Sequence, residues 1–465
     1  MKRIAQFWDD AIVPALVDYI AIPAKSPHFD KAWQENGHIE AAVKLAEGWC
    51  RKHSVAGMKM EVVRLPNRTP VLLLDIAPFQ SQSKETVLMY GHLDKQPEMV
   101  GWREGYGPWK PVLADGKLYG RGGADDGYAV FASLSAVKAL QEEKRSHARI
   151  VVLIECCEES GSYDLPAYLD HLEPRIGAPA FVVGLDSGCG NYEQLWGTTS
   201  LRGLVNGVLT VEVLTEGVHS GDASDVVASS FRIARMLLDR IDAADTGIVS
   251  HSAFHAQIPP ERAAQAKRAA EVLGEEIWRK FPFTPGMQPM QSDLSDLVLN
   301  RTWRPFLAVT GADGLPPPAS AGNVLRPKTS LVLSLRLPPA VKAESVAQQL
   351  KAILEADPPY GARVTFETGH AGTGWHAPRT DAWLLHAIDE SSKRHYGKPA
   401  MWMGEGGTIP FMAMLGAMYP QAQFLITGVL GPHSNAHGPN EFLHLDYAKR
   451  LTACVADVLA AHAGK

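Results

Sequence analysis

The segment YGHLDKQP (90–97) sets His92 and Asp94 two residues apart at the end of an apolar run. Positions i and i+2 of a strand face the same side. Asp94 can therefore accept from one imidazole nitrogen while His92 offers the other to a metal ion, as carboxylates do when they orient a ligating histidine. A surface or turn pair is the plain alternative. In DGKLYGRGGADDGYAVFASL (115–134), Asp125 and Asp126 follow a glycine-rich loop and precede a helical pattern. Adjacent carboxylates repel unless a cation or donors compensate them, although Asp126 alone could serve as a helix N-cap. Gly120, Gly122, Gly123 and Gly127 do not give the G-x-G-x-x-G spacing of a dinucleotide loop. In IECCEESGS (154–162), Glu158 and Glu159 close an apolar strand. Such a pair lets one carboxylate bind metal while its neighbour accepts a proton from activated water, and a solvated acidic turn is the alternative. Asp186 in VGLDSGCG (183–190) ends another apolar run, and His433, His437 and Glu441 sit in the polar loop PHSNAHGPNEF (432–442). Each motif has a bland reading when taken alone. Together they supply the mixed nitrogen and oxygen ligands of a hydrolytic zinc or manganese site, with a carboxylate available to bridge two ions.

An α/β layer must position these groups. From about residue 60 to 190, the strand candidates 69–78, 86–94, 149–159 and 180–188 alternate with helical patterns, among them YAVFASLSAVKALQE from Tyr128 to Glu142. Ligands in open α/β sheets gather outside the carboxyl ends of strands, where His92, Glu158, Glu159 and Asp186 fall. Near residue 200 the texture changes to the alternating segments 204–216 and 329–339 around a helix at about 225–242. The Pro-rich stretch 250–322 reads as loops on this second unit. After about residue 375 the α/β pattern returns, with a helix from Ala382 to Tyr396, an apolar run at 422–430 and a last helix near 446–462. The second unit thus reads as an insertion in the first.

The length of 465 residues argues for two domains, since single cores stop growing near roughly 250–300 residues. A hydrophobic fraction of 46% and a charged fraction of 21% are those of a folded globular protein. The formal charge of −6 offers no positive field for nucleic acid or anionic membrane, so a small substrate fits better. The five cysteines show no C-x-x-C spacing, which points to a reducing, cytoplasmic setting. The N-terminal pattern carries Asp9, Asp10 and Asp18 and reads as a core-packed helix, and no run is apolar enough to span a membrane.

GHLDKQP (91–97), LYGRGGADD (118–126), EES (158–160), LDSG (185–188), GVHSG (217–221), NVLRP (323–327), SLRLPP (334–339) and HGPNE (437–441) resemble, in order, the zinc aminoacylase, carnosinase and glutamate carboxypeptidase family of metallopeptidases. The GHLDxQP form with a long lid is most similar to its carnosinase-type dipeptidase branch. The resemblance implies a mixed-sheet α/β/α catalytic domain of the phosphorylase/hydrolase-like, zinc-exopeptidase type, covering 1–202 and 376–465. It also implies an inserted, smaller α+β lid at 203–375 through which the protein dimerises. It implies that Asp125 bridges two divalent ions, expected to be zinc with manganese or cobalt as alternatives. His92 and Asp186 would hold one ion, and Glu159 and His437 the other. Glu158 would be the general base and Asp94 the orienter of His92. His219 would reach a neighbouring subunit's site, Arg336 would grip a substrate carboxylate, and Asn323 and Thr408 (in GEGGTIP, 404–410) would contact substrate. Members often carry Lys-Gly after the paired aspartates, where Gly127 and Tyr128 stand here. The activity implied is hydrolysis of dipeptides or short peptides. The alternatives are an N-acyl amino acid deacylase, like an acetylornithine deacetylase or succinyl-diaminopimelate desuccinylase, and a non-catalytic binding protein that kept the fold.

Overall fold

In the computed structural model, which describes residues 2–465, a six-stranded sheet carries the larger domain. Its order is Met58–Val63, Val71–Ile76, Arg149–Glu155, Thr86–His92, Phe181–Gly184 and Gln423–Ile426. The first two strands pair antiparallel and the other four run parallel, so the sheet is mixed. Central strands buried on both faces read as continuous apolar runs, and Thr86–His92 is buried at every position. Alternate residues feed two different cores. Val87, Met89, Ile150, Val152 and Ile154 join one face, and Leu88, Tyr90, Val151 and Leu153 join the other.

The first face is covered by Val13–Ile20, His38–Lys52, Tyr128–Glu142, Ala382–Tyr396 and Leu445–Ala463, and the second by Leu165–Ile176 and Pro410–Met418. This is the three-layer α/β/α arrangement. The helix Tyr128–Glu142 lies against the sheet so closely that a Cβ on Gly91 would stand 2.5 Å from the Ala129 Cβ. That contact fixes the loop 123–127 beside His92.

The second unit is a four-stranded antiparallel sheet in the order Phe306–Asp313, Lys328–Leu337, Gly203–Glu212 and Arg363–Gly372. Leu331, Leu333, Leu335 and Leu337 alternate inward against the helices Ser230–Leu238 and Ala343–Glu355. On the opposite face Val208 and Val332, cross-strand partners, are exposed.

The stretch 250–322 differs from its reading as loops. It holds the helices Pro260–Leu273, Glu276–Arg279 and Leu294–Thr302 and the strand Phe306–Asp313. Moreover Ala266, Ala269, Ala270, Ile277 and Val298 belong to the first core of the catalytic domain, with Trp196 and Met403, and not to the core of the lid. Alanine supplies the buried face here, so the apolar periodicity is weak and the prolines dominate the pattern. The chain therefore leaves the lid, packs on the catalytic domain and returns. Where the chain first enters and finally leaves the lid, a Cβ on Gly374 would stand 2.4 Å from the Leu201 carbonyl oxygen. Only glycine fits that approach.

Candidate metal centre

Five segments converge beyond the carboxyl ends of the parallel strands. His92 is the last residue of Thr86–His92, Glu158 and Glu159 start a short turn after Arg149–Glu155, and Asp186 follows Phe181–Gly184. Asp125 lies in the Gly123–Gly127 loop before the buried helix, joined to Asp126 by a cis peptide bond, and His437 lies in the loop after Gln423–Ile426.

The side chains meet around Asp125. Its Oδ1 stands 3.4 Å from His92 Nε2 and its Oδ2 stands 3.0 Å from His437 Nε2. Asp186 Oδ2 is 3.7 Å from His92 Nε2, and Glu159 Oε2 is 3.4 Å from His437 Nε2. One carboxylate thus turns one oxygen to each histidine, with a second carboxylate beside each ring. The ligand atoms of His92, Asp125 and Glu159 lie within 4.8 Å of one another, as do those of His92, Asp126 and Asp186.

This donor set fits divalent cations. His92 Nε2 is buried without a hydrogen-bond partner, an expensive state for a polar atom that a metal ion would relieve. Burial, and then neighbouring negative charge, pushes Glu158 well above the usual carboxylate range and raises Glu159 to about 8, while burial raises Asp186 against the opposing pull of His92. Asp125 is instead held far below its ordinary value: burial opposes this, but the hydrogen bonds and charges of His437 and His92 outweigh it. So many acidic groups cannot all ionise in one buried site without a compensating cation.

The supports explain how the cluster is held. His92 Nδ1 lies 3.1 Å from the backbone oxygen of Asp94 and 3.5 Å from its carboxylate. That carboxylate accepts the N–H groups of Glu158 and Glu159 at 3.1 and 3.0 Å. Asp94 therefore orients the ring mainly through its carbonyl and holds the acidic turn with its side chain. Asp126 does not cap the helix. It is fully buried and accepts the His92 N–H at 3.3 Å.

Several contributors were not singled out from the sequence. Gln96 Nε2 donates to Glu159 Oε2 at 2.5 Å, and Tyr128, buried, donates its hydroxyl to the carbonyl of Leu185 beside Asp186. Arg121 pairs with Glu441 at 2.5 Å and donates to the carbonyls of His437 at 3.0 Å and Gly438 at 2.8 Å, clamping the His437 loop. Fully buried Lys95 donates to the carbonyls of Tyr19 and Ile22 at 2.7 Å each. The signal available was two cations, Lys95 and Arg121, inside otherwise catalytic motifs.

A cavity of about 290 Å³ opens on the cluster, lined among others by Asp125, Glu158, Asp186, Glu405, Thr408 and His437. Thr408 donates to the Arg202 carbonyl at 2.6 Å and accepts from Arg336 Nη1 at 3.3 Å, which brings the lid guanidinium to the cavity wall. His219 and Asn323 do not line the cavity. They sit together on an exposed part of the lid, where His219 pairs with Val324 and Ser220 donates to the Asn323 carbonyl at 2.9 Å. The N–H groups of Gly221 and Asp222 donate to His219 Nδ1 at 3.2 Å each. The neutral ring then carries its proton on Nε2.

Comparison with known proteins places the whole chain. The model of the family described as peptidase family M20/M25/M40 matches residues 88–461. A cysteinylglycine-S-conjugate dipeptidase of Corynebacterium striatum is 27% identical over 77% of this chain and 76% of that protein. The human Beta-Ala-His dipeptidase is 23% identical over 99% of this chain and 93% of that protein. Among solved structures, the dipeptidase Dug1p of Saccharomyces cerevisiae superposes with a TM-score of 0.81 at 21% identity, covering 100% of this chain and 98% of that one. Human carnosine dipeptidase 1 gives 0.80 at 19% identity, covering 100% and 99%.

Proposed function

The chain belongs to peptidase family M20/M25/M40, and from that premise we propose that it is a metal-dependent dipeptidase using two divalent ions. The observation that carries the two-ion reading is Asp125, set between His92 and His437 with one oxygen toward each. His92 and Asp186 would hold one ion, Glu159 and His437 the other, and Asp125 would bridge them. Zinc suits the mixed donors, and manganese or cobalt would also be accepted. Two such ions supply an activated water and polarise the scissile carbonyl.

The chain's own residues do the rest. Glu158 lines the cavity, and burial, followed by the charge of Asp186, raises its proton affinity. It takes a proton from water and returns it to the leaving amine. Arg336 holds the substrate carboxylate beside Thr408. His219, from a second copy of the chain, donates a hydrogen bond from its Nε2–H to the developing oxyanion. A dimer through the lid would place it there, and the exposed Val208 and Val332 on the outer face of the lid sheet support such a contact. The five cysteines are free and buried, which supports a cytoplasmic setting. Among the described residues no helix is long and apolar enough to cross a membrane.

The test is a panel of dipeptides, N-acylated amino acids and C-terminally extended peptides assayed with zinc, manganese and cobalt. Turnover of dipeptides is expected. A succinyl-diaminopimelate desuccinylase of Halorhodospira halophila, 24% identical over 79% of this chain and 81% of that protein, keeps a deacylase as the second reading. Activity confined to N-acyl amino acids would establish it. Glu158→Gln should lower kcat by about 10² to 10⁴ with metal content intact. Elemental analysis finding fewer than one ion per reloaded chain would sink the two-ion assignment.

A further inference from the structure

A dipeptide differs from an N-acyl amino acid by a free ammonium group on the residue that supplies the scissile carbonyl. That ammonium needs a carboxylate within the same cavity. Four carboxylates line it: Asp125, Glu158, Asp186 and Glu405. The first three are already assigned, as two metal ligands and the general base. Glu405 is unused.

Its placement is built into the fold. Glu405 ends the strand Met401–Glu405, in register with Leu201, and both residues line the cavity. The carboxylate occupies space that a side chain at residue 188 would fill, since a Cβ on Gly188 would stand 2.7 Å from Glu405 Oε1. Gly188 lies two residues from Asp186, so Glu405 is drawn up against the loop that carries a metal ligand. Lys280, Arg301 and Arg202 are cations near it: Lys280, pushed down to about 8 by burial and then by Arg301, feels the charge of Glu405, and Arg202 donates to the carbonyl of the next residue, Gly406, at 3.2 Å. Yet among the described residues Glu405 closes no ion pair or side-chain hydrogen bond with any of them: Arg301 Nη2 donates to Met403 Sδ at 3.2 Å, and Arg202 is spent on backbone carbonyls. The carboxylate keeps its acceptor capacity for a ligand.

Glu405 and Thr408, where Arg336 arrives, line the same cavity, so one small zwitterion can meet a carboxylate with its ammonium and a guanidinium with its own carboxylate. We propose that Glu405 is the specificity-determining residue that binds the free α-ammonium group of the dipeptide, selecting unblocked dipeptides over N-acylated amino acids. This role rests on the dipeptidase reading above.

The experiment compares wild type, Glu405→Gln and Glu405→Asp on the dipeptide of the panel cleaved fastest. Its des-amino analogue, with hydrogen in place of the ammonium, is measured alongside as a competitive inhibitor. Glu405→Gln should lower kcat/KM for the dipeptide about 10- to 100-fold, the loss of one charge-assisted hydrogen bond. It should leave the inhibition constant of the analogue within about threefold, because that ligand never made the contact. Glu405→Asp should recover part of the loss, and metal content should match wild type in both. Equal losses for dipeptide and analogue, or no loss at all, would overturn the role of Glu405 while leaving the dipeptidase reading standing. A wild-type enzyme that cleaves only N-acyl amino acids would overturn both.

Discussion

Arg121→Met tests how the His437 loop is held. Arg121 is 1% exposed and its partner Glu441 is fully buried. Burial, against the opposing pull of Arg121, already raises Glu441 to about 7. Removing the guanidinium strands a buried carboxylate, which costs about 3–5 kcal/mol. The carbonyls of His437 and Gly438 lose their donor as well, at about 1 kcal/mol each. The expected loss is therefore about 5–7 kcal/mol, read as a shift of the urea midpoint of metal-free protein. The double variant Arg121→Met/Glu441→Gln should recover the charge part, about 3 kcal/mol, because the Gly122 N–H that now donates to Glu441 at 2.9 Å still meets an amide oxygen. Metal affinity should fall about 10- to 100-fold in the single variant, since its loop carries the proposed ligand His437. A coupling energy within about 0.5 kcal/mol of zero would show that the pair does not act as a unit, and the clamp would have to be abandoned.

Two further outcomes are expected. Gly127→Ala puts a Cβ 2.1 Å from the buried ring of Tyr19, whose hydroxyl is tied to the Leu93 carbonyl at 3.0 Å; overpacking should cost about 1–3 kcal/mol, and calorimetry showing an unchanged melting temperature would contradict it. Asp457 is held below its ordinary value, burial being outweighed by a hydrogen bond from His395 and by Arg145, so its contribution is complete above the unfolded carboxylate range and lost as pH falls through the folded value. The stability difference between wild type and Asp457→Asn should be constant above about pH 5 and shrink toward pH 2; a difference that grows on acidification would reverse the argument.

The cluster of histidines and carboxylates was legible because its members stand where strands stop. An apolar run ending in His, Glu-Glu or Asp signals both the strand and the exit of its last side chain toward the cleft, and the helices Tyr128–Glu142 and Ala382–Tyr396 have the ends expected of them. The supports were less visible. Lys95 and Arg121 look like surface cations in one dimension, and only the carbonyls gathered from distant loops make their burial tolerable. The dual use of Asp94, carbonyl to the ring and carboxylate to the acidic turn, depends on a turn sixty-odd residues away. Gly127 and Tyr128, a departure from the family pattern, find their reason in Tyr19 and Leu185, again remote in sequence. The helices between 260 and 302 were hidden because alanine faces and flanking prolines imitate a loop.

Those helices also govern how the protein can be cut and recombined. An exchange of lids between relatives with splice points at 203 and 375 would carry away Ala266, Ala269, Ile277 and Val298, and with them part of the hydrophobic interior beneath Trp196 and Met403. A chimera that keeps 260–302 with the catalytic domain needs four junctions in place of two. The lid is therefore stitched in rather than plugged in, and substrate preference in this protein is more readily altered residue by residue than by grafting a domain.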